Sequence, residues 1–323
     1  REPGKYHLKG WHPTGVLGTV AVAAAVSVLH QVNQTQASNA LAIAASMASG
    51  LVANFGTMTK PFHAGRAAAN GIEAVRLSVL GMTAAPDVFE HAAGYLNALS
   101  IKEDADRTLP ADRLGKAPRL LETGLSIKRY PVCYSCHRAI DGILALVESN
   151  DLSPADIKHI AVTLGPAQAS MLRNHRPQTG LEAKFSIEFA MASALVKREV
   201  GLRQLTDEFV QQSEVQALFD KVSVQINDEP CPLEPTFSLN DRVVVTLNDG
   251  RVLDSGDIRF PLGNAGNPMD EQGMRAKFLD CMASTKEQGV SLPVTGELLY
   301  SRLAGLESVG NLRSLFLDDG AKQ

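Results

Sequence analysis

Lys60 is a charge delivered by a neutral segment. No Asp, Glu, Lys or Arg stands between Lys9 and Lys60, the next charge, Arg66, is also positive, and no carboxylate follows until Glu73. The intervening residues are mostly Ala, Val, Leu, Ser, Gly and Thr, which bury easily. A lysine carried into such surroundings is costly unless something anionic meets it, either a distant carboxylate of the protein or a ligand. The local sequence, NFGTMTKPFHAGRAAANG over 54–71, reads as a built helix start. Pro61 suits the first turn, where its missing N–H costs nothing, and Thr59 reads as the N-cap. Lys60 and His63 then stand about one turn apart, where free N–H groups and the helix dipole favour an anion. Thr59 and His63 are expected to bind the same anionic substrate as Lys60. The alternative is a tightly packed helix start whose lysine snorkels to water.

Two histidines could supply proton transfer. His12 precedes Pro13 in GWHPTG, so it is pushed out of the helical region and held on a turn. His137 closes YPVCYSCH, near the start of a helix, with Asp141 one turn on to orient its ring. That stretch spells C-x-x-C-H, the attachment pattern of haem c. The haem reading is set aside, because such attachment belongs to exported chains and no leader precedes this one. A zinc site would need further ligands, and Cys231 and Cys281 fall in no such spacing. No haem and no metal is therefore expected at Cys133 and Cys136. Farther on, RPQTGLEAKF (176–185) brings Arg176 and Lys184 before a helix, either as solvated charges or, for Lys184, as a further substrate contact. There is no phosphate-binding glycine loop, no G-x-S-x-G elbow and no H-E-x-x-H.

These residues need elements to hold them. The stretches 15–29 and 40–53 are apolar on most faces and shorter than the ~20 residues that span a bilayer. Their Gly, Ala and Ser content predicts close-packed helices, with 31–38 as a polar connection. A third helix is expected over 61–81 and a fourth over 87–99. Residues 102–125, charged and carrying Pro110 and Pro118, read as loop with short helices. The character then changes. Helices are expected over 133–148 and 185–200, and strands over 157–164, 221–227, 242–247 and 251–258, the last two joined around Asn248-Asp249-Gly250. Mixed helices and antiparallel strands predict an α+β domain over 129–265, inserted between helical parts 1–128 and 266–323.

Composition narrows the partners. The 323 residues carry 31 basic and 35 acidic side chains, a net charge of −4, which gives no electrostatic footprint for nucleic acid. Hydrophobic residues reach 45% and aromatics only 5%, an aliphatic composition that favours helices. Four cysteines in so long a chain point to a reducing compartment, hence a cytoplasmic protein with no membrane partner.

Taken in order, GWHPTG (10–15), the small-residue helix pair, GTMTKPFHAGRAAANG (56–71), KRYPVCYSCHRAID (128–141), EAKFSIEFAMASAL (182–195) and GNPMDEQGMRAKF (266–278) resemble MmgE/PrpD proteins. That family includes 2-methylcitrate dehydratases, cis-aconitate decarboxylases and iminodisuccinate epimerases. The resemblance implies a helical domain formed from both ends of the chain, an α+β lid, a cofactor-independent active site in the cleft between them, and a homodimer. His12, Lys60 and His137 fall on the family's functional positions. The expected activity is that of a lyase, of the 2-methylcitrate dehydratase type, on a small di- or tricarboxylate, begun by removing a proton α to a carboxylate. Epimerisation and decarboxylation of related polycarboxylates are the alternatives. The family's H-x-x-D-[FY]-D-D-type segment has no counterpart here, so a truncated, non-catalytic relative is a further expectation.

Overall fold

The computed structural model describes residues 5–101, 115–116, 118–233 and 236–317. Much of the charged stretch read as loop, 102–125, lies outside them. Helices dominate, with one small mixed sheet.

Three helices come first: α1 (Pro13–Leu29), α2 (Gln34–Met47) and α3 (Thr59–Val79). They pack around Ala23, Ala40, Ile43, Ala44, Ala74 and Val75. Side chains this small allow close backbone approach. A Cβ added at Gly71 of α3 would sit 2.7 Å from the Val22 side chain and 2.8 Å from the Thr19 carbonyl of α1. Gly71→Val should therefore force α1 and α3 apart and lower stability by about 1–3 kcal/mol, read as a lower urea midpoint at unchanged slope.

Helix α2 starts earlier than its apolar run suggests. Asn33 accepts from the Gln36 N–H and Gln36 accepts from the Asn33 N–H, a capping box that converts most of the expected polar connection into helix. The start of α3 is also corrected. Met58 occupies the N-cap position in helical geometry and makes no side-chain cap, so Thr59 is the first helical residue. Thr57 takes the capping part instead, its hydroxyl accepting from the Thr59 N–H at 3.2 Å. Of the expected helix at 87–99 only Tyr95–Leu99 is helical. The residues before it form turns.

The second half contains α4 (His137–Asn150), β1 (Ile157–Leu164), α5 (Ile187–Lys197), β2 (Val222–Ile226), β3 (Arg242–Leu247) and β4 (Val252–Asp254). The sheet order is β2-β1-β3-β4. Strands β1 and β3 are antiparallel, as are β3 and β4, whose turn uses Gly250 at φ +89°. The expectation of an all-antiparallel sheet fails at β2, which runs parallel to β1. The helices between them form the crossover that parallel pairing requires. Of the expected strand 251–258 only Val252–Asp254 is regular, and Ile258 pairs with Asp241 as an isolated bridge.

Strand side chains Ile157, Ile160, Val162, Leu164, Val243 and Val245 pack on α4 and α5 in the largest core. Phe55, from the α2–α3 connection, is the one buried member of that core from before Tyr130 among the described residues. It ties the first three helices to the sheet-bearing part, beside Lys60. Helices α6 (Glu271–Glu287) and α7 (Gly296–Ala304) close the chain over a small cluster of Val294, Leu299 and Leu315. Among the described residues no helix is long and apolar enough to cross a membrane.

Candidate active site

His12 is the residue before α1, with φ −76° and ψ 114°, the extended geometry its proline neighbour imposes. Its backbone N–H donates to the Gly50 carbonyl at 3.0 Å, so the end of α2 fixes its height. The ring is 5% exposed. Its Nδ1 lies 3.0 Å from Nδ1 of His63, which α3 delivers from its first turns. The Phe55 ring closes a third side in a T-shaped contact, 4.9 Å between centroids. Burial, then the Lys60 ammonium, then His63 push the His12 imidazole down to about 4.

Phe55 also meets Lys60, the second residue of α3. Its Nζ lies 3.9 Å from the Phe55 ring centroid and 4.1 Å from that of Phe185. An ammonium between two aromatic faces gains cation–π attraction while losing water. Loss of water dominates. Burial lowers Lys60 to about 8, Cys133 offsets part of this, and Lys128 lowers it further. Among the described residues no carboxylate lies within ion-pair distance of Lys60. The choice left open by the sequence, protein carboxylate or ligand, thus tilts to the ligand.

Lys128 escaped the sequence reading. It is exposed, and its Nζ donates to the Val132 carbonyl at 3.1 Å. Its charge depresses Lys60, Lys184 and His137 alike. A Lys-Arg pair just ahead of YPVC was the available signal, but it looked like any solvated basic pair. Lys184 is half-buried, lowered by burial and then by Lys128, and its carbonyl accepts from the Cys133 N–H at 2.8 Å. Lys60, Lys128 and Lys184 therefore form a run of like charges, an arrangement suited to a polyanion.

His137 is placed differently from expectation. Its ring is fully buried between Tyr130 and Tyr134, with centroids 5.2 and 5.0 Å away. Neither ring nitrogen completes a hydrogen bond of ordinary geometry, although the Val132 and Tyr130 carbonyls lie near enough to favour the protonated form. Burial and then Lys128 outweigh them and hold His137 down to about 3. Asp141 does not orient the ring. Its carboxylate accepts from the Tyr130 hydroxyl at 2.6 Å and the Leu262 N–H at 2.7 Å. Tyr134 in turn accepts from Asn264 Nδ2 at 2.9 Å. Thr59 is half-buried beside Lys60. Arg176 pairs with Asp220 at the surface, the solvated alternative. A cavity of about 670 Å³ lies apart from Lys60, between Tyr130, Leu144, Val200 and the Met269–Lys277 segment. Among the described residues no group of three or more His, Cys, Asp or Glu is placed to hold a metal.

Fold and site together define a mainly helical protein with a small sheet, in which His12, paired with His63, and Lys60 both contact Phe55. Residues 2–108 match the MmgE/PrpD N-terminal domain and residues 130–290 the MmgE/PrpD C-terminal domain, so the chain belongs to the MmgE/PrpD family. Among curated proteins it is similar to the cis-aconitate decarboxylase of Homo sapiens, 29% identical over 277 residues, covering 84% of this chain and 56% of the relative. The cis-aconitate decarboxylase of Mus musculus is 28% identical over 278 residues, 84% of this chain and 55% of the relative. That of Aspergillus terreus is 26% identical over 293 residues, 86% and 59%. The chain thus spans little more than half the length of the curated relatives it matches.

Proposed function

We propose that the protein is a lyase acting on a small di- or tricarboxylate at the carbon next to a carboxylate. The observation that carries this is Lys60, desolvated between Phe55 and Phe185 with no carboxylate among the described residues to meet it, beside the hydrogen-bonded His12–His63 pair. A substrate carboxylate supplies the missing anion. Lys128 and Lys184 would take the others.

The chemistry follows from what each group can hold. A proton α to a carboxylate is weakly acidic, so its removal needs a placed base and a stabilised enolate-like anion. His12, neutral at working pH, is the base. The C–H pair of electrons moves toward the carboxylate that Lys60 neutralises, and the new N–H forms on His12. Lys60, lowered to about 8, is also the acid matched to protonate a departing hydroxyl. The sequence assigned that step to one of the histidines. The enclosure of His137 makes it a poor donor, and in this reading it shapes the wall through Tyr130 and Tyr134. Elimination of water is the reaction that uses base and acid together.

A second reading, decarboxylation, is favoured by the relatives' names. There loss of CO₂ generates the carbanion, and the same groups return the proton. Proton NMR of cis-aconitate and of 2-methylcitrate incubated with the protein separates the two by which substrate is consumed. Consumption of neither would reject both.

The pH profile is an expected outcome. His12 must be neutral, so kcat/KM rises through about 4, and Lys60 must be protonated, so it falls above about 8. Bound carboxylates favour both charged forms, so both limbs should move upward in the kcat profile. A kcat/KM flat from pH 7 to 10 would remove Lys60 from the mechanism.

The homodimer and the inserted-lid arrangement belong to the same proposal and rest on family membership. Exposed Leu17, Val28 and Leu29 on α1 and Phe62 and Ile72 on α3 are apolar surface that subunit pairing would cover.

A further inference from the structure

The geometry points to His63 as a positioning residue that sets the tautomer of His12 and leaves His12 Nε2 as the nitrogen facing the substrate. This rests on the reading of His12 as the base. It replaces the expectation that His63 itself binds substrate.

The two Nδ1 atoms are 3.0 Å apart, with both rings buried. At that separation two bare lone pairs would repel, and two hydrogens would clash. The pair therefore holds one hydrogen between the two Nδ1 atoms, with one ring donating and the other accepting. Either way His12 Nδ1 is occupied, and only Nε2 is left for chemistry. A base needs its lone pair on Nε2, which places the His12 hydrogen on Nδ1, donating to His63 Nδ1. His63 then carries its own hydrogen on Nε2. When His12 takes a proton at Nε2 it becomes an imidazolium, and its Nδ1–H bond to His63 becomes charge-assisted and stronger.

The surroundings hold this pair in place. Gly50, at φ +122°, backs both rings, and a Cβ there would sit 3.2 Å from the His63 ring and 3.5 Å from His12 Cβ. His63 lies on the buried face of α3 with Ala67 and Asn70, so helix packing fixes its direction. His12 is pinned by its backbone bond to Gly50 and by its T-shaped contact with the Phe55 ring. Three separate segments thus converge on one hydrogen bond that involves no substrate atom.

The test is long-range ¹⁵N–¹H NMR of histidine side chains at neutral pH, with kinetics on the same samples. In the unaltered protein His12 should show a protonated Nδ1 and a bare Nε2, and His63 the reverse. His63→Ala should move His12 toward the Nε2–H form and lower kcat by about 10–100-fold with KM changed less than about twofold. His63→Asn, which keeps an acceptor oxygen on a short side chain, should restore most of both. A His12 signal already in the Nε2–H form, or one unmoved by His63→Ala, overturns the inference. The wild-type spectrum alone decides should the Ala variant fail to fold. Expected tautomers in a protein without turnover would count for the positioning role and against the lyase reading.

Discussion

Lys60→Met should lower kcat/KM by at least about 10²–10³-fold and weaken carboxylate binding, without loss of thermal stability in the absence of ligand. Met keeps most of the stem that packs between Phe55 and Phe185 and removes only the ammonium. Two effects then oppose each other. Two cation–π contacts are lost, each about 0.5–2 kcal/mol. The cost of holding a desolvated charge, visible in the fall of Lys60 to about 8, is also lost. These are similar in size, so the melting temperature should stay or rise. Were Lys60 half of a buried ion pair, the same change would strand a carboxylate and cost about 3–5 kcal/mol. Thermal melts with and without a tricarboxylate distinguish the cases. Ligand should stabilise the parent protein and leave Lys60→Met unmoved. A Lys60→Met protein that melts much lower with no ligand present would return Lys60 to a structural role.

The second large effect is on stability. Arg138 is 1% exposed and follows His137 directly. Its guanidinium donates to the Ser238 carbonyl at 2.8 Å and reaches Asp241 Oδ1 at 3.4 Å. Asp241 also accepts from Gln168 Nε2 at 2.9 Å and from the Ser238 hydroxyl at 2.8 Å. Burial nonetheless pushes Asp241 up to about 6, more than Arg138 and these donors can offset. Arg138→Met leaves that carboxylate without its cation and should cost about 3–5 kcal/mol in denaturant unfolding. Adding Asp241→Leu should recover much of the loss, because an apolar pair of similar volume fills the space without desolvated charge. The pH dependence has a definite sign. Asp241 binds its proton more tightly folded than unfolded, so between about 6 and the usual carboxylate range its contribution to stability increases as pH falls. Equal stability of the single and double variants would mean that the loss does not come from a stranded carboxylate.

Several parts of this site were legible before any coordinates. The extended backbone at His12 follows from Pro13, and the neutral run before Lys60 announced a lysine without a local partner. Helix α3 starts two residues before the expected 61, because Thr57 and Thr59 are equally good caps by residue type and only the turn from Asn54 to Thr57 selects between them. Helix α2 starts ahead of its apolar run because the Asn33–Gln36 capping box, and not hydrophobicity, sets its first turn. The parallel pairing of β2 depends on a crossover through several helices, which no local pattern encodes. His137 and Asp141 share a helix face at the right spacing, yet Tyr130 reaches the carboxylate first. The role of Lys128 appears only when Lys60, Lys184 and His137 are brought around it.

The central claim is proton transfer at a carbon next to a carboxylate, dependent on Lys60. Proton NMR in D₂O is its most direct measurement, with small di- and tricarboxylates incubated with the protein and with Lys60→Met. The expected result is substrate conversion, or deuterium entering the carbon α to a carboxylate, with the unaltered protein and neither with the variant. Exchange or conversion at equal rates in both would contradict the account, as would the absence of either in a folded parent protein shown to bind the carboxylate.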